Sequence, residues 1–512
     1  MTSAGTGAVT RDVVVIGSGH NGLVAACYLA RAGLDVEVIE RDAVVGGAVS
    51  TVERWPGVRV DRGSTMHVII RHTGIVEDLD LAACGLDYID VDPWAVSWHS
   101  DGALRFAVDV DETCTSIAEV CGGKTADAYA GFVNEWSPRM DALLSAFHRP
   151  PTPGALGRAF LPLGRAGASI AREFLQPADA LLDATFGDER LKSALAWWAA
   201  QAGPPPHEPG TAPMLATAVL MHRRPPGRPR GGSGMLTAAL ARRLELTGGT
   251  LRTGDAVVSL QRQGNGWSVS TASGDRITAR RVLSACHVAT LLDLLGDATG
   301  RARLRIGAGM GMVLRVLTDR LPAYRIEVDG AHHGMQLLAP SRHLLRSAYG
   351  DFLRSETPSD PPLLVMTPTA TDSSLAPDGR HVVTVWTQWH PRHLGDGVSW
   401  DDVRQRETDR LVAGVDRHAP GFAASVIDTL LQTPADLERE LGLHNGNVMH
   451  LDMSLDAMFA LRPLPGWSSY RSPLPGLYLC GASTHPGGGV SGASGRSAAR
   501  MLLRDARRRW RR

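Results

Sequence analysis

The chain has 512 residues, 44% of them hydrophobic, with 53 basic and 53 acidic side chains and no formal net charge; this suits two or more soluble domains and gives no electrostatic sign of a nucleic-acid partner. Its six cysteines include no C-x-x-C pair, which argues against a zinc ribbon or a redox couple and predicts free thiols in a reducing cytosol. The opening MTSAGTGAVT lacks the apolar stretch of a signal peptide, and no apolar run reaches the ~18 residues of a membrane span, so a cytoplasmic location is expected.

The first readable unit is RDVVVIGSGHNGLVAACYLARAGLDVEVIERD. Asp12–Ile16 reads as a buried strand rich in valine, followed by Gly17, Ser18, Gly19, His20, Asn21 and Gly22, then an apolar helix ended by Gly33. Leu34–Ile39 reads as a second strand with Glu40 at its end, 18 residues past Gly22. Each part has a chemical purpose. Gly17 allows a tight turn, Gly19 lets backbone approach a pyrophosphate, and Gly22 lets helix and strand pack closely. The helix N-terminus offers free N–H groups to phosphate, and Glu40 can accept hydrogen bonds from a ribose. The glycine motif alone is weak evidence; with the strand before it, the helix after it and the acid at this distance it marks a dinucleotide site.

NAD and FAD share this motif. Gly46 and Gly47 follow shortly after Glu40, and a second backbone approach there suits an extended FAD. No second complete motif occurs; GAGMG at Gly307–Gly311 lacks the spacing. One nucleotide site is therefore expected, and FAD, held non-covalently, is favoured over NAD.

Gly57–Ile69 reads as a strand running into a loop. Further on, a glycine turn leads into an amphipathic helix over Leu236, Leu240 and Leu244, then a strand through Val257 and Leu260. WSVSTASGDRITARRVLSAC reads as a hairpin turning at Gly274-Asp275. The chain closes with a short strand, Leu477–Cys480, and the glycine-rich CGASTHPGGGVSGASG. So much glycine beside a final helix costs stability and calls for a reason.

From Gly446 to Ala499 the sequence resembles the FAD-dependent phytoene (carotenoid) desaturase-like proteins of the flavin amine oxidase superfamily, and the branch of pyridine nucleotide-disulphide oxidoreductase domain-containing protein 2 within it. TPADLERELGLHNGN and DSSLAPDGRHVVTVW share the likeness, which spans nearly the whole chain. The resemblance implies an α/β fold: a Rossmann-like FAD-binding domain of the amine-oxidase type (1–105, 228–300 and 445–512) interleaved with a mixed α+β substrate domain (106–227 and 301–444). It implies that Glu40 and Arg41 contact the adenosine half, Gly46-Gly47 the pyrophosphate, and Val257 the adenine. Ser64 and Thr65 would lie near the flavin. Gly481 and the 487–489 glycines would bring bare backbone to the ring, with N–H groups near Val490 at a helix N-terminus facing its pyrimidine end. Two residues depart from the wider superfamily: Ala48 stands where arginine is frequent, and Ala482 where an acid is frequent.

The resemblance implies a dehydrogenase or desaturase acting on a small molecule, with electrons passing to oxygen or a quinone. His67 and His485 fall in the two loops expected beside the ring, where either could assist proton transfer or simply hold its loop. Rival readings are an amine or amino-acid oxidase, a low-turnover binding or assembly flavoprotein, and a redox-neutral isomerase. The segment with Trp197-Trp198 could line an apolar tunnel or form ordinary core. The basic HRRPPGRPRGG and the tail Arg504–Arg512, which includes Trp510, could touch an anionic membrane surface, although a solvated tail explains the latter as well. No metal site is expected, and the oligomeric state stays open.

Overall fold

In the computed structural model, which describes residues 10–509, the run TRDVVVI forms strand β1 (Thr10–Ile16). Its β-branched residues suit a pleated, two-sided burial, and Val13, Val14 and Val15 have no exposed surface. Helix α1 (His20–Arg31) follows, then strand β2 (Val36–Ile39), parallel to β1. These lie in a seven-stranded sheet ordered Val257–Gln263, Gly266–Thr271, Arg276–Ser284, β1, β2 and Thr250–Arg252, with the last strand, Leu477–Leu479, also paired to Arg276–Ser284.

Register decides where this sheet opens. Ile16 sits opposite both Ile39 and Ser284, and Ser284 sits opposite Leu479. The carboxyl ends of four strands, from both ends of the chain, therefore stop at one level. The loops beyond them are stitched by Gly17 N–H to Ile39 O at 2.8 Å, Ala285 N–H to Ile16 O at 2.8 Å and Cys480 N–H to Ser284 O at 2.8 Å. Ligands of open α/β sheets bind at such an edge.

The final helix, Ala493–Arg509, packs along α1. Their approach is close because both carry small residues: a Cβ on Gly495 would fall 2.1 Å from the Asn21 carbonyl oxygen.

A second seven-stranded sheet is ordered Val426–Gln432, Gly309–Thr318, His381–Pro391, Leu363–Met366, Met335–Leu338, Ala95–His99 and Gly102–Phe106. The hairpin Ala95–Phe106 was expected in the nucleotide part, bounded at residue 105. It belongs to this other sheet, because Ala95, Val96 and Ser97 pair with Met335, Gln336 and Leu337. Local patterning cannot reveal that pairing, since the partner lies far along the chain. Helices within the segment expected to handle substrate, Gly123–Phe147 and Glu189–Ala200 among them, bury Tyr129, Trp136 and Trp197 against Trp94 and Phe106 of the hairpin region. Among the described residues no helix is long and apolar enough to cross a membrane. Trp510 and the last arginines of the tail lie outside the described residues; Asp505, just before them, is held by Arg471 at 2.7 Å.

Candidate functional site

The site begins at the turn after β1. Gly17 adopts φ 95°, in the left-handed region that favours glycine, and Gly22 has no room for a side chain: an added Cβ would lie 2.4 Å from the Gly17 oxygen and 2.7 Å from the Ala285 Cβ. Gly19 is different. It precedes the first turn of α1, and a Cβ there would meet no atom within 4 Å. Bare backbone at a helix N-terminus, facing open space, is the geometry an anion requires.

Glu40 is buried, and its carboxylate braces this turn. One oxygen accepts from the Ser18 N–H at 2.7 Å and the Ser18 hydroxyl at 2.8 Å; the other accepts from the Asp42 N–H at 2.9 Å. The Glu40 carbonyl accepts from Asp255 N–H at 3.0 Å, which brings the start of the Val257 strand alongside. Glu40 and Val257 thus come together at one edge of the glycine turn. Arg41 does not join them. Its guanidinium turns to the last turn of the helix Pro434–Leu441 and donates to the Glu440 carbonyl at 3.2 Å. The carbonyls of a helix C-terminus attract a cation, and Arg41 is engaged there.

The second glycine pair divides its work. Gly46 (φ 110°) is pressed between Val49 O and Thr237 Oγ1, at 2.3 and 2.5 Å from an added Cβ, whereas Gly47 (φ 57°) faces open space. Only Gly47 has backbone free to approach a ligand. Ala48 O accepts from Ser64 N–H at 2.9 Å and so carries the next loop. Thr65 in that loop is buried, and its hydroxyl has no partner among the described residues. A buried unpaired hydroxyl is costly in a finished protein and fits a position where a ligand completes the bonding.

The closing loop meets the opening one directly. Asn21 accepts from the Gly495 N–H at 3.3 Å, and its amide lies 3.0 Å from Nε2 of His20, whose ring faces the Gly489 backbone. Gly481 (φ 96°) donates its N–H to Ser494 Oγ at 3.0 Å. The helix starts at Ala493, three residues beyond Val490, so Val490 is not at its N-terminus. Instead the Val490 carbonyl accepts from Ile70 N–H at 2.9 Å and ties the loop of His67 to the closing loop. Nor are all the closing glycines bare for a ligand. A Cβ on Gly488 would meet Met449 Sδ at 2.1 Å and one on Gly487 would meet Met453 Sδ at 2.7 Å; only Gly489 is nearly open, with Ile69 at 3.4 Å.

The two histidines are committed to the protein. His67 is fully buried, with Nδ1 2.8 Å from the Tyr88 hydroxyl and Nε2 2.8 Å from Ser233 Oγ. His485 is buried beside the rings of Phe147 and Phe459, and its Nε2 lies 3.1 Å from the Ala146 carbonyl, to which it donates. Burial pulls His67 down to about 3 and His485 to about 4, so both are neutral at physiological pH. Both hold loops; proton transfer by His67 has no free ring nitrogen to use. Sequence reading missed Ser18, whose hydroxyl links Glu40 to Gly46 N–H at 3.1 Å. Among the described residues no group of histidine, cysteine or acid side chains is placed to hold a metal.

A helix terminus open to an anion, a braced acid at one edge of the glycine turn and a second glycine loop returning from the far end of the chain define a dinucleotide-binding fold. Residues 15–75 match the NAD(P)-binding Rossmann-like domain, and residues 164–503 match the family of flavin containing amine oxidoreductases. The chain belongs to that flavin-containing family, in the branch of the phytoene desaturase-like proteins. It is 34% identical to pyridine nucleotide-disulfide oxidoreductase domain-containing protein 2 of Rattus norvegicus, over 96% of this chain and 93% of that protein. It is 30% identical to phytoene dehydrogenase of Streptomyces griseus, over 83% and 82%. Among solved structures, a putrescine oxidase variant superposes with a TM-score of 0.62 at 15% identity, over 98% and 99% of the chains. An oxidoreductase from Methanosarcina mazei does so with 0.58 at 16%, over 96% and 99%. These last two likenesses concern the fold alone.

Proposed function

We propose that this flavoprotein holds FAD non-covalently between its two glycine loops. It acts as a dehydrogenase or desaturase on a small apolar or secondary-metabolite substrate, taking a hydride from an activated C–H bond and passing electrons to oxygen or a quinone. The observation that carries the reading is the convergence of the strand ends at Ile16, Ser284 and Leu479, in a chain similar to a phytoene dehydrogenase. When bound, the flavin supplies two-electron chemistry that no side chain offers. The N-terminus of α1 and Gly47 hold the pyrophosphate, Glu40 orients the adenosine edge through the turn it braces, and Thr65 gives its spare hydroxyl to the ligand. Ile69, Met449, Met453 and Phe459 form an apolar wall that excludes water near the closing loop.

The test is direct. Purified protein is yellow, and acid precipitation releases the colour into solution, as a non-covalent cofactor requires. Anaerobic mixing with allylic or polyene substrates bleaches it, and admission of oxygen or a quinone restores it. A folded, colourless protein with no affinity for FAD overturns the reading.

Amine oxidation is a second reading, favoured by Asp452. Its partly buried carboxyl, pushed up to about 6 by burial, takes part in no hydrogen bond or ion pair among the described residues and lies in the field of Glu208. Tyr349 donates to Glu208 at 3.1 Å nearby. Peroxide release with amines, and none with apolar substrates, selects this alternative.

A further inference from the structure

Arg462 is wholly buried, yet among the described residues no carboxylate lies within ion-pair distance of it. Its acceptors are all backbone carbonyls. Nε and Nη2 donate to Ala482 O at 3.2 and 2.7 Å, and Nη1 donates to the carbonyls of Asp452 and Ala457 at 2.9 and 3.1 Å. Nη2 reaches two more carbonyls, Met449 at 2.6 Å and Leu451 at 3.5 Å. One guanidinium thus joins the segment 449–457, which supplies the methionine wall, to the strip after Gly481. It also stands directly behind the closing glycines: a Cβ on Gly487 would be 3.7 Å from its Cζ.

All five acceptors are neutral carbonyl dipoles. Dipoles satisfy its hydrogen bonds but supply no counter-charge in contact with it, and a charge removed from water is costly without one. Burial pulls Arg462 down to about 9, still protonated at neutral pH. The nearest acid in its field is Asp452, held at the backbone and not paired through its carboxyl. Two-electron reduction of an oxidised flavin with uptake of one proton leaves one negative charge on the ring. A fixed positive charge in a dry site stabilises charge of that kind as it develops.

We propose that Arg462 is the electrostatic positioning residue of the flavin site: it fixes the closing loop through the carbonyls of residues 449–457 and 482 and supplies the buried positive charge that balances reduction of the ring. The inference rests on the reading that a flavin lies against this loop.

The experiment is the midpoint potential of the bound flavin, measured by dye-coupled reduction at about pH 8, where Asp452 is ionised. Arg462→Lys keeps the charge with fewer hydrogen bonds and holds the equilibrium constant for reduction within a few-fold of the parent. Arg462→Gln lowers that constant at least tenfold, a fall of about 30 mV for a two-electron couple. Asp452→Asn removes the acidic charge in the field of Arg462 and raises the constant several-fold. An Arg462→Gln protein that keeps its flavin at an unchanged potential overturns the proposal. If that variant does not fold, Asp452→Asn decides alone, because its side chain makes no bond that folding needs; an unchanged or lowered potential there overturns the proposal equally. A parent protein that takes up no flavin is a distinct result, which defeats the functional reading and this inference with it.

Discussion

Gly19 and Gly22 look alike in the sequence and do opposite things. Gly22 is bare because protein surrounds it, and Gly19 is bare although nothing does. Gly22→Ala therefore forces its Cβ into the Gly17 carbonyl and costs several kcal/mol, of the order of ~3, by overpacking. Its thermal midpoint falls whether or not flavin is added. Gly19→Ala leaves the melting temperature of the flavin-free protein unchanged and weakens flavin binding at least tenfold, read by fluorescence titration. Equal losses of stability in the two variants would sink the assignment. Glu40 makes a third case. Its three hydrogen bonds brace the turn, and Glu40→Ala leaves the Ser18 donors unpaired and buried, a loss of about 1–3 kcal/mol of folding stability read as a lower urea midpoint.

At the scale of elements, α1 and the final helix form the joint that brings the two ends of the chain together. Helix propensity alone says that glycine to alanine inside Ala493–Arg509 stabilises by about 1 kcal/mol. Packing says the reverse at Gly495, because the new methyl would occupy the place of the Asn21 carbonyl. Gly495→Ala is expected to lower the denaturation midpoint and to loosen flavin binding together, since Asn21 anchors both the helix and the His20 corner. A raised midpoint in urea would show that the two helices are farther apart than described.

Across the whole molecule, the buried histidines give a common pH response. His67, His390 and His450 are pulled to about 3 and His20 and His485 to about 4, all by burial. Each folded value lies below the value near 6.5 of an unfolded chain, so the unfolded state binds protons first as the pH falls. Stability is fully present above about pH 6.5 and declines toward about pH 3, in the window set by these shifts. Urea midpoints measured between those limits should fall with a slope of several protons. His390→Phe, in the second sheet and away from the glycine loops, removes one proton from that slope. A flat profile above pH 4.5 contradicts the neutral, buried state of these rings.

Short-range spacing was enough to determine the β1–turn–α1–β2 unit with Glu40 at its end, the hairpin around Gly274 and the closing strand, because each depends on backbone geometry or burial within a few tens of residues. The family likeness was legible for the same reason, in unbroken motifs. What only tertiary structure decided were the contacts between remote segments. The hairpin Ala95–Phe106 joined the second sheet because its partner strand lies at Met335–Leu338. Arg41 reached the carbonyl end of a helix near Glu440. Gly46 and Gly488 turned out to be bare for Thr237 and Met449, and Arg462 found carbonyls from several loops. Glycine at a turn announces freedom of the backbone, but whether a ligand or a neighbouring side chain takes up that space depends on which distant atoms arrive there.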